Sequence, residues 1–118
     1  MHIIKVDAID STNSLAREML RENLSEKIFA IVARQQLQGR GQRGTSWMAN
    51  PGQNLTFSVV YPKPPVVPAQ QFLISAAVAM AMIRALKIFN IPLLSLKWPN
   101  DIMSARYKIG GILIENIV

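Results

Sequence analysis

Residues 39–47 read Gly39-Arg40-Gly41-Gln42-Arg43-Gly44-Thr45-Ser46-Trp47, and fifty residues later the chain reads Lys97-Trp98-Pro99-Asn100-Asp101. The first stretch packs three glycines, two arginines and an indole into nine residues. Glycine lets a backbone turn tightly, approach a ligand and aim its N–H groups at it. Arginine adds planar, permanent positive charge suited to phosphate or carboxylate. Trp47 offers a flat apolar face to a ring. The second stretch has its own cation, its own indole and two polar side chains beside a turn-forming proline. Together they describe a site for an anionic, ring-bearing ligand, most simply a nucleotide.

Outside these stretches the composition excludes several chemistries. At 118 residues the chain fits one domain, large enough for a core but small among enzymes. Half of it is hydrophobic and 17% is charged, which argues for a folded globular protein. There is no cysteine, so neither a disulfide scaffold nor a thiolate zinc site is available. The single His2 argues against a histidine metal centre or a serine–histidine relay. No apolar run reaches the ~20 residues needed to span a bilayer, and Lys5, Asp7 and Asp10 interrupt any signal peptide early. The expected location is the cytoplasm, with no membrane partner. The net charge is +6, but the basic residues are spread from Lys5 to Lys108 without a dense run. An anionic small ligand explains those inside the motifs as well as a nucleic acid would.

The flanking sequence supplies the scaffold. His2–Ala8 is apolar and β-branched and reads as a strand. Asp10-Ser11-Thr12-Asn13 carries side chains suited to a helix N-cap. Leu15, Ala16, Met19 and Leu20 then predict a short amphipathic helix to about Glu22. Ile28–Ala33 is a compact apolar run, expected to be a buried strand. Arg34–Gln53 is polar and glycine-rich, too long for a simple connector. In Asn54–Tyr61, Leu55, Phe57 and Val59 alternate with Thr56, Ser58 and Val60, a strand signature. Pro62–Pro68 holds four prolines and reads as a surface crossing. Ala69–Phe89 has no glycine or proline and is apolar nearly all round, predicting a mostly buried helix. Leu94–Trp98 is a strand entering the second motif, and residues 102–118 read as a β-hairpin turning at Ser104-Ala105-Arg106, with Tyr107–Val118 as its second strand. Helices mixed with strands and hairpins predict an α+β domain with a mixed or antiparallel sheet.

Each motif also has a plain structural reading. The glycine-rich stretch could be a surface loop. Ser11-Thr12-Asn13 could be a helix cap alone, and Asn100-Asp101 a turn. Lys108 could be a solvated strand lysine and Gly110-Gly111 a bulge. Gly39–Trp47 is not the phosphate loop of nucleoside triphosphatases, because no Gly-Lys-Ser/Thr follows.

In this order, the motifs resemble the catalytic domain of biotin–protein ligases, which join biotin to a lysine of a carboxylase carrier domain. The resemblance runs from Asp10-Ser11-Thr12-Asn13 through Gln36 and Gly39–Trp47 to Lys97–Asp101. It ends at Lys108-Ile109-Gly110-Gly111-Ile112-Leu113-Ile114-Glu115 and covers nearly the whole chain. It implies a mixed β-sheet flanked by helices, related to class II aminoacyl-tRNA synthetases and lipoate ligases. It also implies a two-step reaction. Biotin is activated by ATP, with magnesium, to biotinyl-5′-adenylate; the biotinyl group then passes to a lysine of a biotin carboxyl carrier protein.

By the same resemblance Ser11, Thr12, Asn13 and Gln36 would line the ureido end of biotin. Gly39, Arg40, Gly41 and Gln42 would hold its carboxyl end and the phosphate, and Lys108 would sit on the carboxylate and α-phosphate oxygens. Arg43, Trp47, Lys97 and Asn100 would bind the nucleotide. Lys108, Arg40 and Asp101 would be catalytic, Asp101 by orienting or deprotonating the incoming lysine. No protein metal ligands are implied. The chain departs from the family at two points. Gln42 and Thr45 stand where arginines are usual, so Gln42 removes a positive charge beside the expected phosphate. Nothing follows Val118, whereas relatives carry further strands and often a small C-terminal β-barrel. The expectation is therefore the front portion of a catalytic domain over residues 1–118, without a DNA-binding domain. A sheet left with an uncovered edge predicts self-association, a homodimer being the simplest form, or impaired catalysis. The alternatives are a fragment that binds biotin or its adenylate without transferring it, and a lipoate ligase.

Overall fold

A computed structural model describes residues 1–117. The chain divides into two compact units, Met1–Pro65 and Val66–Asn116. The class is α+β, with two helices of eight residues or more and two three-stranded sheets, one in each unit.

In the first unit β1 (His2–Ile9) leads through α1 (Thr12–Arg21) to β2 (Phe29–Gln36), which lies parallel to β1. The next strand, β3 (Thr56–Val60), pairs antiparallel with β2. The stripe Leu15, Ala16, Met19 and Leu20 lays α1 across one face of this sheet. There Phe29, Ile31, Val60 and Ala16 form the buried cluster, with Ile4 and Val6 packed against it. Ile31 is wholly buried, and its removal from water contributes about 1.5–3 kcal/mol. The helix starts where the Ser11 side chain accepts the Ser14 N–H. It ends as Asn23 turns the chain into the left-handed region, at φ 52°.

Strand β3 faces the opposite way from its apolar pattern. Ser58 and Val60 point into the core, while Leu55, Phe57 and Val59 are exposed. Pairing of Ile31 with Ser58 puts a hydroxyl directly beneath α1. Strand β2 also runs three residues beyond the expected Ala33, so Arg34–Gln36 belong to the sheet rather than to the loop.

In the second unit α2 (Gln71–Lys87) precedes an antiparallel meander of β4 (Leu94–Lys97), β5 (Asp101–Ser104) and β6 (Tyr107–Gly111). The expected hairpin is present and turns at Ala105-Arg106, but its second strand stops at Gly111. Val118, the end of the expected strand, lies outside the described residues. The helix is not mostly buried as expected. Ala79 is enclosed at 1% exposure, whereas Phe72 at 69% and Met80 at 58% face outward. A stripe around one alanine can seat against a short strand such as β4; an apolar circumference does not by itself cover the remaining faces. No described helix is long and apolar enough to cross a membrane.

Candidate functional site

The parallel pair β1–β2 puts both strands' C-terminal ends on one side of the first sheet, where α1 begins and the Gly39–Trp47 loop departs. Thr12, Asn13, Gln36 and Ser58 meet there in one hydrogen-bonded cluster. The Thr12 N–H donates to Gln36 Oε1 at 2.8 Å, and the Thr12 hydroxyl lies 3.1 Å from the same oxygen. That hydroxyl is 2.6 Å from Ser58 Oγ, and the Ser58 hydroxyl donates to Asn13 Oδ1. Thr12 and Ser58 are buried, so each bond spares a desolvation cost of about 1–3 kcal/mol for an unmet polar group.

Ser11 fulfils the capping reading. Its Oγ accepts the Ser14 N–H at 3.0 Å and its hydroxyl donates to Ser14 Oγ at 2.8 Å. Ser14 in turn receives a bond of 3.2 Å from Arg40 Nη2. The loop arginine is thereby tied to the first turn of α1, and positive charge gathers where the helix already exposes N–H groups.

Residues 39–47 fold as a small hairpin. The Trp47 N–H donates to Gly39 O at 2.9 Å, Arg40 bridges Ser46, and the Gly41 N–H donates to Thr45 O at 2.7 Å. The amides of Gly41 and Trp47 are therefore spent inside the hairpin. A short 3-10 turn over Gln42–Gly44 closes the tip, with Arg43 at φ 54° and Gly44 at φ 75°. The Thr45 hydroxyl clasps that turn by donating to Gln42 O at 2.7 Å. Gln42 and Arg43 are exposed at the tip and Trp47 is half-buried at the base. Gly39 is needed for close approach. A Cβ there would lie 2.5 Å from Trp47 O and 2.8 Å from Gln36 Nε2.

Lys97, Asn100, Asp101 and Lys108 belong to the second unit. Lys97 pairs with Asp101 across β4–β5, so Trp98, Pro99 and Asn100 form the connection, with a cis peptide between Trp98 and Pro99. Asn100 O accepts the Ile112 N–H at 2.9 Å, and the half-exposed Trp98 ring packs on Phe72 with centroids 5.6 Å apart. Lys108 Nζ forms an ion pair of 2.8 Å with Asp101 Oδ1. Met103 pairs with Lys108, which puts Lys108 on the face of the sheet that carries Met103 and Asp101. Ile102 pairs with Gly110, which leaves Ile109 extra as a bulge. The irregularity thus falls at Ile109 rather than at Gly110-Gly111. Gly110 instead admits the Ile102 side chain, whose Cδ1 would lie 3.3 Å from an added Cβ.

The arrangement offers hydroxyl and carboxamide groups at one place, a docked arginine beside them, and a lysine–aspartate pair on the other unit. Residues 6–118 match the model of the biotin/lipoate A/B protein ligase family. The chain belongs to this family. Among its members, the biotin–[acetyl-CoA-carboxylase] ligase of Paracoccus denitrificans is 35% identical over 91% of this chain and 44% of its own length. The bifunctional ligase/repressor BirA of Salmonella typhimurium is 32% identical over 97% of this chain and 35% of its own. A biotin protein ligase of Leishmania major, solved in complex with biotinyl-5-AMP, superposes with a TM-score of 0.73 at 32% identity. That match covers 98% of this chain and 52% of the Leishmania chain. The Helicobacter pylori biotin acetyl coenzyme A carboxylase synthetase, with bound biotinylated ATP, gives a TM-score of 0.75 at 28% identity. The chain spans about half the length of these solved ligases.

Sequence reasoning placed Thr12, Asn13 and Gln36 together but missed Ser58 and Ser14. Ser58 left one signal, a small hydroxyl flanked by apolar residues in a strand. Ser14 left none beyond its place in the first turn of a helix.

Proposed function

We propose that this chain carries the ligand-binding portion of a biotin–protein ligase that activates biotin with ATP and passes it to a lysine of a biotin carboxyl carrier protein. The observation that carries the reading is the hydrogen-bonded Thr12–Asn13–Gln36–Ser58 cluster, with Thr12 and Ser58 buried and Asn13 and Gln36 half-buried, beside the Gly39–Trp47 hairpin. Hydroxyls and carboxamides match a ureido ring, which both donates and accepts hydrogen bonds.

In the first step a biotin carboxylate oxygen attacks the α-phosphorus of ATP, and pyrophosphate leaves. Arg40, with Gly39, Gly41 and Gln42 around it, lies by the carboxyl end. Lys108 counters the charge that gathers on the phosphoryl oxygens. Arg43, Trp47, Lys97 and Asn100 receive the nucleotide, Trp47 through its ring. In the second step the carrier lysine amine, deprotonated from its ordinary value near ~10.4, attacks the acyl carbon and AMP leaves. Asp101 holds Lys108 by the ion pair of 2.8 Å. It can orient or deprotonate the incoming amine once that pair parts. Magnesium accompanies ATP in this reading. Among the described residues no three His, Asp or Glu side chains cluster to hold an ion. The proposed setting is the cytoplasm, with the carrier protein as partner and no DNA or membrane partner for these residues. Self-association into a homodimer belongs to the same reading and is read by sedimentation velocity.

A second reading, a domain that binds biotin or its adenylate without transferring it, is favoured by the Thr12–Asn13–Gln36–Ser58 cluster, whose side chains suit recognition and take part in neither transfer step. Incubating the chain with biotin, Mg-ATP and a carrier domain separates the two. A gain of one biotinyl group by intact mass supports the full reaction. Pyrophosphate without that gain supports activation alone. Neither product, together with no biotin binding by calorimetry, refutes both readings.

A further inference from the structure

Strand β1 is one edge of the first sheet, and its ladder with β2 leaves half of its backbone groups facing outward. The Leu37 N–H donates to Ile9 O at 2.8 Å, so the odd-numbered residues of β1 turn their N–H and C=O groups to β2. The even-numbered residues His2, Ile4, Val6 and Ala8 turn theirs to the open edge, because the direction alternates along a strand. Among the described residues no other strand pairs there. An eight-residue edge of this kind is a template for another strand. Side chains alternate with the same period. Ile4 and Val6 pack against the core, while Ile3, Lys5 and Asp7 stand exposed on the outer face. A lone lysine on an edge guards it against pairing. Here an opposite charge two residues on turns the guard into a means of choosing a partner.

We propose that the β1 edge is a homodimer interface, in which β1 of a second copy pairs with it antiparallel about a two-fold axis at Val6. Charge selects this register. A two-fold axis that keeps both core faces on one side pairs even positions with even and odd with odd. Centred on Lys5 it would set ammonium against ammonium, and centred on Asp7 carboxylate against carboxylate, both unfavourable. Centred on Ile4 or Ala8 it would set a charge against an isoleucine. Centred on Val6 it sets Lys5 opposite Asp7 of the second copy, twice by symmetry. The same register brings Val6 to Val6 and Ile4 to Ala8, the positions whose backbone groups are open, so these pairs exchange hydrogen bonds. Lys5 and Asp7 fall at the intervening pairs, where side chains come closer together. Asp7 holds Arg34 through Oδ1, and its side chain is 78% exposed, so its second oxygen can receive the lysine. The interface gives the homodimer of the proposed function its surface, but it does not depend on the biotin chemistry.

The test is sedimentation velocity, over a concentration series without ligand, of the 118-residue chain, of Lys5→Glu, of Asp7→Lys and of an equimolar mixture of the two variants. The parent is expected to pass from monomer to dimer as concentration rises. Each single variant sets like charges opposite at two places and should weaken the dimer by about tenfold or more. In a dimer of one copy of each variant both facing pairs are again opposite in charge. The mixture should therefore recover dimer at concentrations where neither variant alone does. Circular dichroism checks each fold, since Asp7→Lys gives up the Arg34 pair. If that variant does not fold, Ala8→Pro serves in its place. The Ala8 N–H faces the open edge, so this change keeps the ladder with β2 and should abolish the dimer. A parent that stays monomeric up to millimolar concentration would overturn the proposal. So would a dimer unchanged in both single variants, or a mixture that gains none. A parent that dimerises with this charge pattern yet binds no biotin by calorimetry would refute the proposed function and keep the interface.

Discussion

Replacing Gly39 by alanine tests whether the hairpin and the cluster are one packed unit. Gly39 has no positive φ to relieve, so the substitution acts through volume alone. The new methyl would lie 2.5 Å from Trp47 O and 2.8 Å from Gln36 Nε2. The carbonyl is backbone, and its residue is tied to Gly39 by a bond of 2.9 Å, so it cannot withdraw alone. The Gln36 amide must then move, at the expense of the Thr12 N–H bond of 2.8 Å. Overpacking of this kind costs about 1–3 kcal/mol, and the lost bond adds about 0.5–1.5 kcal/mol. With a urea slope of about 1–3 kcal/mol per molar, the unfolding midpoint should fall by about 1–2 M. Gly44→Ala is the internal control. It has φ 75° and nothing within 4 Å of an added Cβ, so it should cost about 1 kcal/mol of backbone strain and leave biotin binding untouched. Equal midpoints for Gly39→Ala and the parent would refute the close-approach argument. So would a larger fall for Gly44→Ala.

Four further outcomes follow from the same geometry. Ile31→Ala, at a wholly buried position, should lose about 2–5 kcal/mol of stability, read by the same urea titration. Asp101→Asn should slow pyrophosphate formation as well as biotin transfer, by about tenfold or more, if the ion pair positions Lys108; loss of transfer alone would leave Asp101 only its role toward the incoming amine. Gln42→Arg restores a cation at an exposed loop tip and should slow release of biotinyl-adenylate in a filter assay, whereas equal rates would sink the idea. Arg34 donates to Asp7 at 2.5 Å, which raises the guanidinium pKa first through that hydrogen bond and then through charge. A raised pKa gives stability that is present below the unfolded value and lost as pH climbs through the folded one. That window lies far above neutral, so Asp7→Asn should not change how stability varies between pH 6 and 9.

The strands and both helices could be read from periodicity and punctuation, because apolar spacing and the Asp10–Asn13 cap are local signals. The inward face of β3 could not. Its apolar residues Leu55, Phe57 and Val59 outnumber the pair that enters the core, and Ser58 on the buried face finds its hydrogen-bond partners, Thr12 and Asn13, on α1. Nor was the hairpin form of the glycine loop legible, since composition does not show that the Gly41 N–H goes to Thr45 O and the Trp47 N–H to Gly39 O. Hydropathy overstated the burial of α2, since it reports what a residue prefers and not which neighbours are within reach. The motif residues were recognisable from the family pattern, but Ser58 and Ser14 act through partners 45 and 26 positions away, Asn13 and Arg40. The meeting of Lys108 with Asp101 depends on the pairing of Met103 with Lys108, a register that no local pattern announces.

The extra residue, Ile109, uncouples two stretches of the hairpin. From the turn outward Ser104 faces Tyr107 and Met103 faces Lys108, and this pairing alone sets the side of the sheet on which the ammonium stands. Beyond the bulge Ile102 and Asp101 face Gly110 and Gly111. Deleting Ile109 would leave both sets of partners in place, so Lys108 should still meet Asp101, whereas a one-residue slip of Met103 against Lys108 would carry the ammonium to the reverse side. Ile109 is 47% exposed and should accept many side chains.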